Sequence, residues 1–466
     1  MNLHRNILRL AVPSIFANIT VPLVGMVDIA VAGHLGASGA VPAATLIGGI
    51  SIGTMLFDML YWNFGFLRGG TGGLTAQAYG RWRSGIPEAV RDIAITLKRA
   101  LGIALGSGLL LVALQWVVVQ VAFLLVDCSP EVQKLATQYF YIRIWAAPAT
   151  LSLFAFKGWF IGMQDTVRPM TSDLIVNFTN ILLSVGLAFG YAGLPALGFA
   201  GVAYGTLIAQ WTGFAYAALA VWRRYGRVFR EAGDSFASLG MTEGTGNGSW
   251  RAFFVLNRDL FIRSMCMIAV YIGFTMISAR YGDMMLAVGA ILMKLLMIFS
   301  YFTDGFAYAG EALTGRFIGE GSPEGVRTTV RQTFVWSVGV TLLFFLVYGV
   351  GGVPLLKLMT SDPDVVESAR EFIPWLLLMP VIGCPAFTWD GIFTGATASR
   401  DLRNSTAWCV AGFFGVWFAG IGLARALSGT VPETLAIHIL MAAYFTHLAV
   451  RALYLTLRAR KAIPGV

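Results

Sequence analysis

Apolar runs about as long as a membrane is thick, separated by short clusters of charge, set the pattern of this chain. Runs such as Leu101–Val126 and Gly412–Ala426 with its flanks approach the roughly 20 residues that a 30 Å hydrocarbon core asks of a helix. Backbone groups find no partners in lipid, so only helices and closed barrels span it. The runs lack the alternation of barrel strands. Cutting at charge clusters and turn residues predicts helices near 10–33, 40–67, 100–127, 138–163, 171–192, 197–222, 258–279, 284–310, 332–357, 369–396, 407–427 and 434–457. The expected fold class is all-α, a polytopic membrane protein of twelve transmembrane helices.

The polar positions between the runs carry the topology. Twelve helices put both ends of the chain on one side, and the loops of that side hold most of the Lys and Arg, among them Arg81, Arg83, Arg91, Arg223, Arg224, Arg400, Arg451 and Arg458. Only Lys134, Arg280, Lys357 and Arg425 fall on the other. The positive-inside rule then predicts two cytoplasmic termini in a bacterial cytoplasmic membrane. The longest polar stretch, 223–257, is rich in Gly, Ser and Arg and reads as a cytoplasmic linker between an N-lobe, 1–222, and a C-lobe, 258–466. Phe156-Lys-Gly-Trp-Phe-Ile-Gly162 matches Trp389-Asp-Gly-Ile-Phe-Thr-Gly395 at an offset of 233, and Leu74-Thr-Ala-Gln-Ala-Tyr-Gly80 matches Leu313-Thr-Gly-Arg-Phe-Ile-Gly319 at 239. Offsets near half the chain predict a duplication into two six-helix lobes, related as parallel repeats because six is even.

Composition narrows the function. With 57% hydrophobic and 12% charged residues and a mean hydropathy of +0.72, lipid is the main solvent. The net charge of +9 is scattered between apolar runs, which excludes a nucleic-acid face. The four Cys lie far apart without a CxxC and the four His form no close pair, so neither disulfides nor a metal centre are expected. No Gly-Lys dipeptide exists, which excludes a Walker A loop. Gly49-Ile-Ser-Ile-Gly53 matches a nucleophile elbow only as a string, inside an apolar helix. No cofactor is expected, and transport would draw on an ion gradient.

Intramembrane charges are the informative class, since such residues usually face a cavity or a partner. They are Asp28, Asp58, Arg143, Lys157, Arg263, Lys294, Asp304 and Asp390. Asp28 follows Pro22, whose ring bends a helix and frees a carbonyl, so Pro22 is a candidate hinge. Asn177, Asn180 and Ser184 share one face of the fifth helix at i, i+3 and i+7. They read equally as oxygen ligands for H⁺ or Na⁺ and as interhelical hydrogen bonds. Thr206 reads as a further oxygen or as a hydroxyl bonded back to its own helix. Lys294 and Asp390 are expected to form a buried pair, leaving a transport role open.

Over its whole length the sequence resembles the multidrug and toxic compound extrusion (MATE) transporters, DinF-like branch. The resemblance rests on Pro22-Leu-Val-Gly-Met-Val-Asp28 through Gly36, on Gly65-Phe-Leu-Arg-Gly-Gly-Thr-Gly-Gly-Leu-Thr-Ala-Gln-Ala-Tyr-Gly80, and on Asp390-Gly-Ile-Phe-Thr-Gly-Ala-Thr397 followed by Leu402-Arg-Asn404. It implies two lobes around a central cavity, alternating access, and export of organic cations in exchange for H⁺ or Na⁺. It also implies a cation-coupling site of Asp28, Asn180 and Thr206. Ser184 departs from the family, many of whose members have Asp there, and this tilts the expectation toward H⁺ over Na⁺. Asp390 matches a C-lobe cation-site Asp whose helix-seven Glu partner has no counterpart here. The expected partners are small organic molecules, the coupling ion and lipid, with one chain as the working unit. The alternatives are a lipid-linked-oligosaccharide flippase of the same broad fold and an integral-membrane enzyme.

Overall fold

The computed structural model describes residues 3–38, 41–125, 128–232, 250–359 and 363–466, and among them every regular element is helical. The helices are α1 Leu3–Ser38, α2 Ala43–Trp62, α3 Gly65–Arg83, α4 Ala89–Ala113, α5 Gln115–Leu125, α6 Pro130–Arg143, α7 Ala147–Gly162, α8 Val167–Phe189 and α9 Phe199–Glu231. There follow α10 Trp250–Ala279, α11 Gly282–Gly319, α12 Pro323–Met359, α13 Pro363–Arg370, α14 Ile373–Gly395, α15 Ser399–Ser428 and α16 Glu433–Ala462.

Eleven helical stretches among the described residues are long and apolar enough to cross a membrane: α1, α2 with α3, α4, α6 with α7, α8, α10, α11, α12, α14, α15 and α16. Helix α9, 33 residues long, is not in that set by composition and stands at the sixth predicted position. The predicted order is therefore recovered, with longer helices. At 1.5 Å per residue α9 reaches roughly 50 Å, about 20 Å beyond a hydrocarbon core. That excess carries Arg223, Arg224, Arg227 and Arg230. Both ends of the predicted linker are thus helical, in α9 and α10. Its middle, 233–249, lies outside the described residues.

The chain forms two compact units, Phe16–Trp250, and Arg251–Val466 with Met1–Ile15. The first has an apolar core built around Phe57, Tyr139, Phe140 and Phe199, the second one around Phe299, Phe344, Tyr348 and Phe372. Each contains the same backbone contact. A Cβ on Gly158 of α7 would overlap the carbonyl oxygen of Arg68 in α3, and one on Gly162 would fall 2.7 Å from that of Gly72. In α14, a Cβ on Gly391 would overlap the carbonyl of Ala307, and one on Gly395 that of Glu311 in α11. Glycines four apart let two helix backbones approach where any side chain would hold them apart. These residues stand 233 apart in the glycine helices and 239 apart in their partners, the offsets expected from the sequence.

The turns repeat as well. After α7, Gln164 takes φ 61 and the Asp165 amide donates to the Phe160 carbonyl; after α14, Thr397 takes φ 55 and the Ala398 amide donates to the Phe393 carbonyl. After α3, Gly85 has φ 85 and the Ile86 amide donates to Arg81; after α11, Gly321 has φ 67 and the Ser322 amide donates to Phe317, now 236 apart. Pro87-Glu88-Ala89-Val90-Arg91 at the start of α4 matches Pro323-Glu324-Gly325-Val326-Arg327 at the start of α12 at that same 236. The registers of α4 with α12 and α7 with α14 are thereby fixed, while α3 keeps the 239 register with α11 along their glycine contact and runs three residues further before the shared turn.

Candidate functional site

In the Phe16–Trp250 unit, small residues set the geometry. A Cβ on Gly205 of α9 would lie 2.6 Å from the Ser184 backbone nitrogen and 2.7 Å from its Oγ, and one on Gly201 would lie 2.6 Å from the Leu187 carbonyl oxygen. Only glycine lets α9 lie this close to α8, and the closeness brings their polar groups together. Asn180 Nδ2 donates to Thr206 Oγ1 at 2.8 Å, and Thr206 Oγ1 donates to the Val202 carbonyl at 3.2 Å. Thr206 thus bonds back to its own helix, as one of its two readings had it, and also receives Asn180.

Asp28 of α1 is 6% exposed, within the apolar run from Pro22 to Gly33. The Ser184 side chain lies beside its carboxyl group, and Arg143 acts on it through charge. Asn180, Ser184 and Thr206 are all buried. Asp28 Oδ1 and Asn180 Oδ1 are buried acceptors with no hydrogen-bond partner among the described residues. The four residues expected from the sequence therefore form one cluster. Asn177 stands apart from it: its Nδ2 donates to Thr20 Oγ1 at 2.6 Å and ties α8 to α1. Pro22 is exposed, and α1 continues as helix through it.

Sequence reading named Arg143 as an intramembrane charge without placing it at this site. The end of α6 holds its Cζ 4.6 Å from the centre of the Phe57 ring and its Nη1 3.0 Å from Tyr139 Oη. The position comes from Gly49 and Gly53 of α2, where added Cβ atoms would crowd Leu135 and Tyr139. The elbow-like Gly49–Gly53 string is thus a socket for α6. Arg143 lies in the field of both Asp28 and Asp58, and the cation faces aromatic rings.

The expected pair of Lys294 with Asp390 does not form. Lys294 is exposed, while Asp390 on α14 receives Arg263 of α10 at 2.5 Å and Arg451 of α16, whose Nε donates to Asp390 Oδ1 at 3.0 Å. Arg451, assigned from sequence to a loop, is 1% exposed inside α16. Spacing along one helix shows which residues share a face, but not which face of a distant helix meets it. At the repeat-equivalent position Lys157 pairs with Asp173 at 2.7 Å, the opposite charge in the same place.

Helices of membrane length, a repeated close-packed contact and a buried carboxyl with neutral oxygens around it define a polytopic membrane protein of the transporter class. The MatE family matches residues 13–185 and 260–417, and the chain belongs to that family. It is similar to DNA damage-inducible protein F of Escherichia coli, 35% identical over 87% of this chain and 83% of that protein. It is also similar to a probable multidrug resistance protein NorM of Thermotoga maritima, 22% identical over 91% of this chain and 85% of that one. The fold matches the Vibrio cholerae MATE transporter VcmN in its bent form, with TM-score 0.79 at 18% identity over 99% of this chain and 97% of that one. Another MATE structure, in a bent conformation, matches with TM-score 0.79 at 15% identity over 99% of this chain and 95% of that one. These relatives are transporters, not enzymes.

Proposed function

We propose that this chain is a secondary active antiporter of the cytoplasmic membrane that exports amphiphilic, cationic compounds in exchange for protons by alternating access, with Asp28 carrying the proton. The observation that carries the reading is the cluster at Asp28, one carboxyl group withdrawn from water among the neutral side chains of Asn180, Ser184 and Thr206. A carboxyl at such depth usually marks an ion or proton path.

The charge balance supports H⁺ over Na⁺. One carboxylate supplies a single negative charge, and Arg143 already brings a positive charge into its field. A Na⁺ ion would add a second cation to that environment, whereas a proton neutralises the carboxylate and leaves Arg143 to Asp58. Protonation relaxes the need of Asp28 for polar partners and so biases the conformation of α1, where Pro22 removes one helix hydrogen bond. The multidrug-resistance name of the Thermotoga maritima relative supports small organic substrates.

The test is transport of a panel of organic cations in proteoliposomes under separate H⁺ and Na⁺ gradients. Wild type should follow the H⁺ gradient, Asp28→Asn should lose gradient-driven export at matched membrane levels, and Ser184→Asp should gain a response to Na⁺. Undiminished H⁺-driven export by Asp28→Asn overturns the mechanism.

A further inference from the structure

The duplication supplies an internal control for every polar residue in the core. On the face of α4 turned to the unit interior, Ile93, Leu97 and Leu101 are buried. Their equivalents on α12, 236 residues on, are Thr329, Thr333 and Ser337, each 0% exposed and each without a hydrogen-bond partner among the described residues. In α3 the equivalent of Glu311 is Gly72, and in α7 the equivalent of Thr388 is Ala155, at the offsets of 239 and 233. Packing in one half is satisfied by Gly, Ala, Ile and Leu. The other half puts a carboxyl group and four hydroxyls at the same positions.

Helices α11 and α12 meet between two of these groups. Glu311 is 1% exposed on α11, and its neighbour Gly310 packs on Thr333, whose Cγ2 would lie 3.3 Å and Oγ1 3.7 Å from a Cβ there. Thr314, one turn on from Glu311, is not set apart in this way, since its α3 equivalent Thr75 is likewise buried with no partner for its hydroxyl among the described residues. A buried hydroxyl left unbonded is destabilising, so several in one stripe are not a neutral substitute for Ile and Leu.

We infer that Glu311, with the hydroxyls of Thr329, Thr333, Ser337 and Thr388, forms a second proton-binding site, confined to the Arg251–Val466 unit. The occupant is a proton and not a metal ion because the donors form a line. Thr329 to Ser337 spans eight residues, about 12 Å of helix, too long for the coordination shell of one ion. A hydroxyl donates one hydrogen bond and accepts others, so it can bond a carboxyl group in either protonation state. Other titratable groups buried on the helices packed against α11 are Tyr348 on α12, Cys384 on α14, and His447 and Arg451 on α16. Tyr348 donates to the Leu295 carbonyl, His447 bonds the Tyr444 carbonyl, and Arg451 pairs with half-buried Asp390; the charges of α13 are exposed. On α11 itself Arg316 pairs with Glu320, while Asp304 lies in the field of Arg451.

The inference rests on the proton-antiport reading for its purpose but not for its test. Infrared difference spectra of the purified full chain, labelled with carbon-13 at the Glu carboxyls, are recorded across a pH titration with and without NaCl. The isotope shift separates Glu bands from those of Asp28, so the result stands even if proton antiport fails. A protonated-Glu band should be lost in Glu311→Gln, shift in the isosteric Thr333→Val, and persist in Asp28→Asn. It should shift further in the triple variant Thr329→Ile, Thr333→Leu, Ser337→Leu, which carries the residues of the other half. A Glu signal indifferent to Glu311→Gln, or to the loss of the hydroxyls, overturns the site. Bleaching of the band by NaCl at constant pH also overturns it, by making the occupant Na⁺.

Discussion

Two guanidinium groups converge on the carboxylate of Asp390, and at Asp28 one carboxylate shares a single arginine with Asp58. Removing one partner of a buried ion pair leaves the others uncompensated, which typically costs ~3–5 kcal/mol. Asp390→Asn should therefore lower thermal stability by about that amount. Replacing Arg263 and Arg451 by Gln and Met in the same chain should recover much of the loss, read by thermal unfolding in detergent. At the other site, Arg143→Gln withdraws the resident cation from Asp28. The variant should acquire Na⁺-dependent binding of a cationic reporter that wild type lacks, and absence of any Na⁺ effect would count against Arg143 as the reason for proton preference. In the sequence, depth pointed to Asp28 and helical spacing to Asn180 and Ser184, while Thr206 was joined to them by the family resemblance alone. Arg143 and Arg451 were harder to place, since a charge in or near an apolar run says nothing of where its long side chain reaches.

Glycine is what the helices use to recognise one another. The contacts of Gly158 with Arg68 and of Gly391 with Ala307 leave no room for a methyl group, and the obstacle is backbone, which cannot swing aside. Gly158→Ala and Gly391→Ala should each destabilise the protein by about 1–3 kcal/mol, the usual range for overpacking. Gly106→Ala, where nothing lies within 4 Å, should be neutral or stabilising by up to ~1 kcal/mol because alanine favours helix. Unfolding midpoints of the three variants in one detergent check the ranking. Helix order was readable from apolar run length, and the repeat from two heptapeptides. Helix ends were not: α9 continues through a cluster of arginines because a helix outside lipid has no need to be apolar, so charge density was mistaken for a linker. The Lys294 pairing failed for a related reason, since depth in the membrane is shared by many side chains and adjacency by few.

For the whole molecule, twelve membrane crossings would put both ends of the chain on one side, which we propose from the Lys and Arg distribution to be the cytoplasm. A reporter fused after Val466 should be active only in the cytoplasm, and one inserted near Asp362, a position outside the described residues, only on the far side. The named ion pairs, Lys157 with Asp173 and Asp390 with Arg263 and Arg451, each lie inside one unit. The glycine contacts and the two polar clusters do so too. A protease that nicks the chain between Glu231 and Trp250 would thus yield two polypeptides that have lost none of these interactions, each keeping its buried charges matched on its own side of the cut.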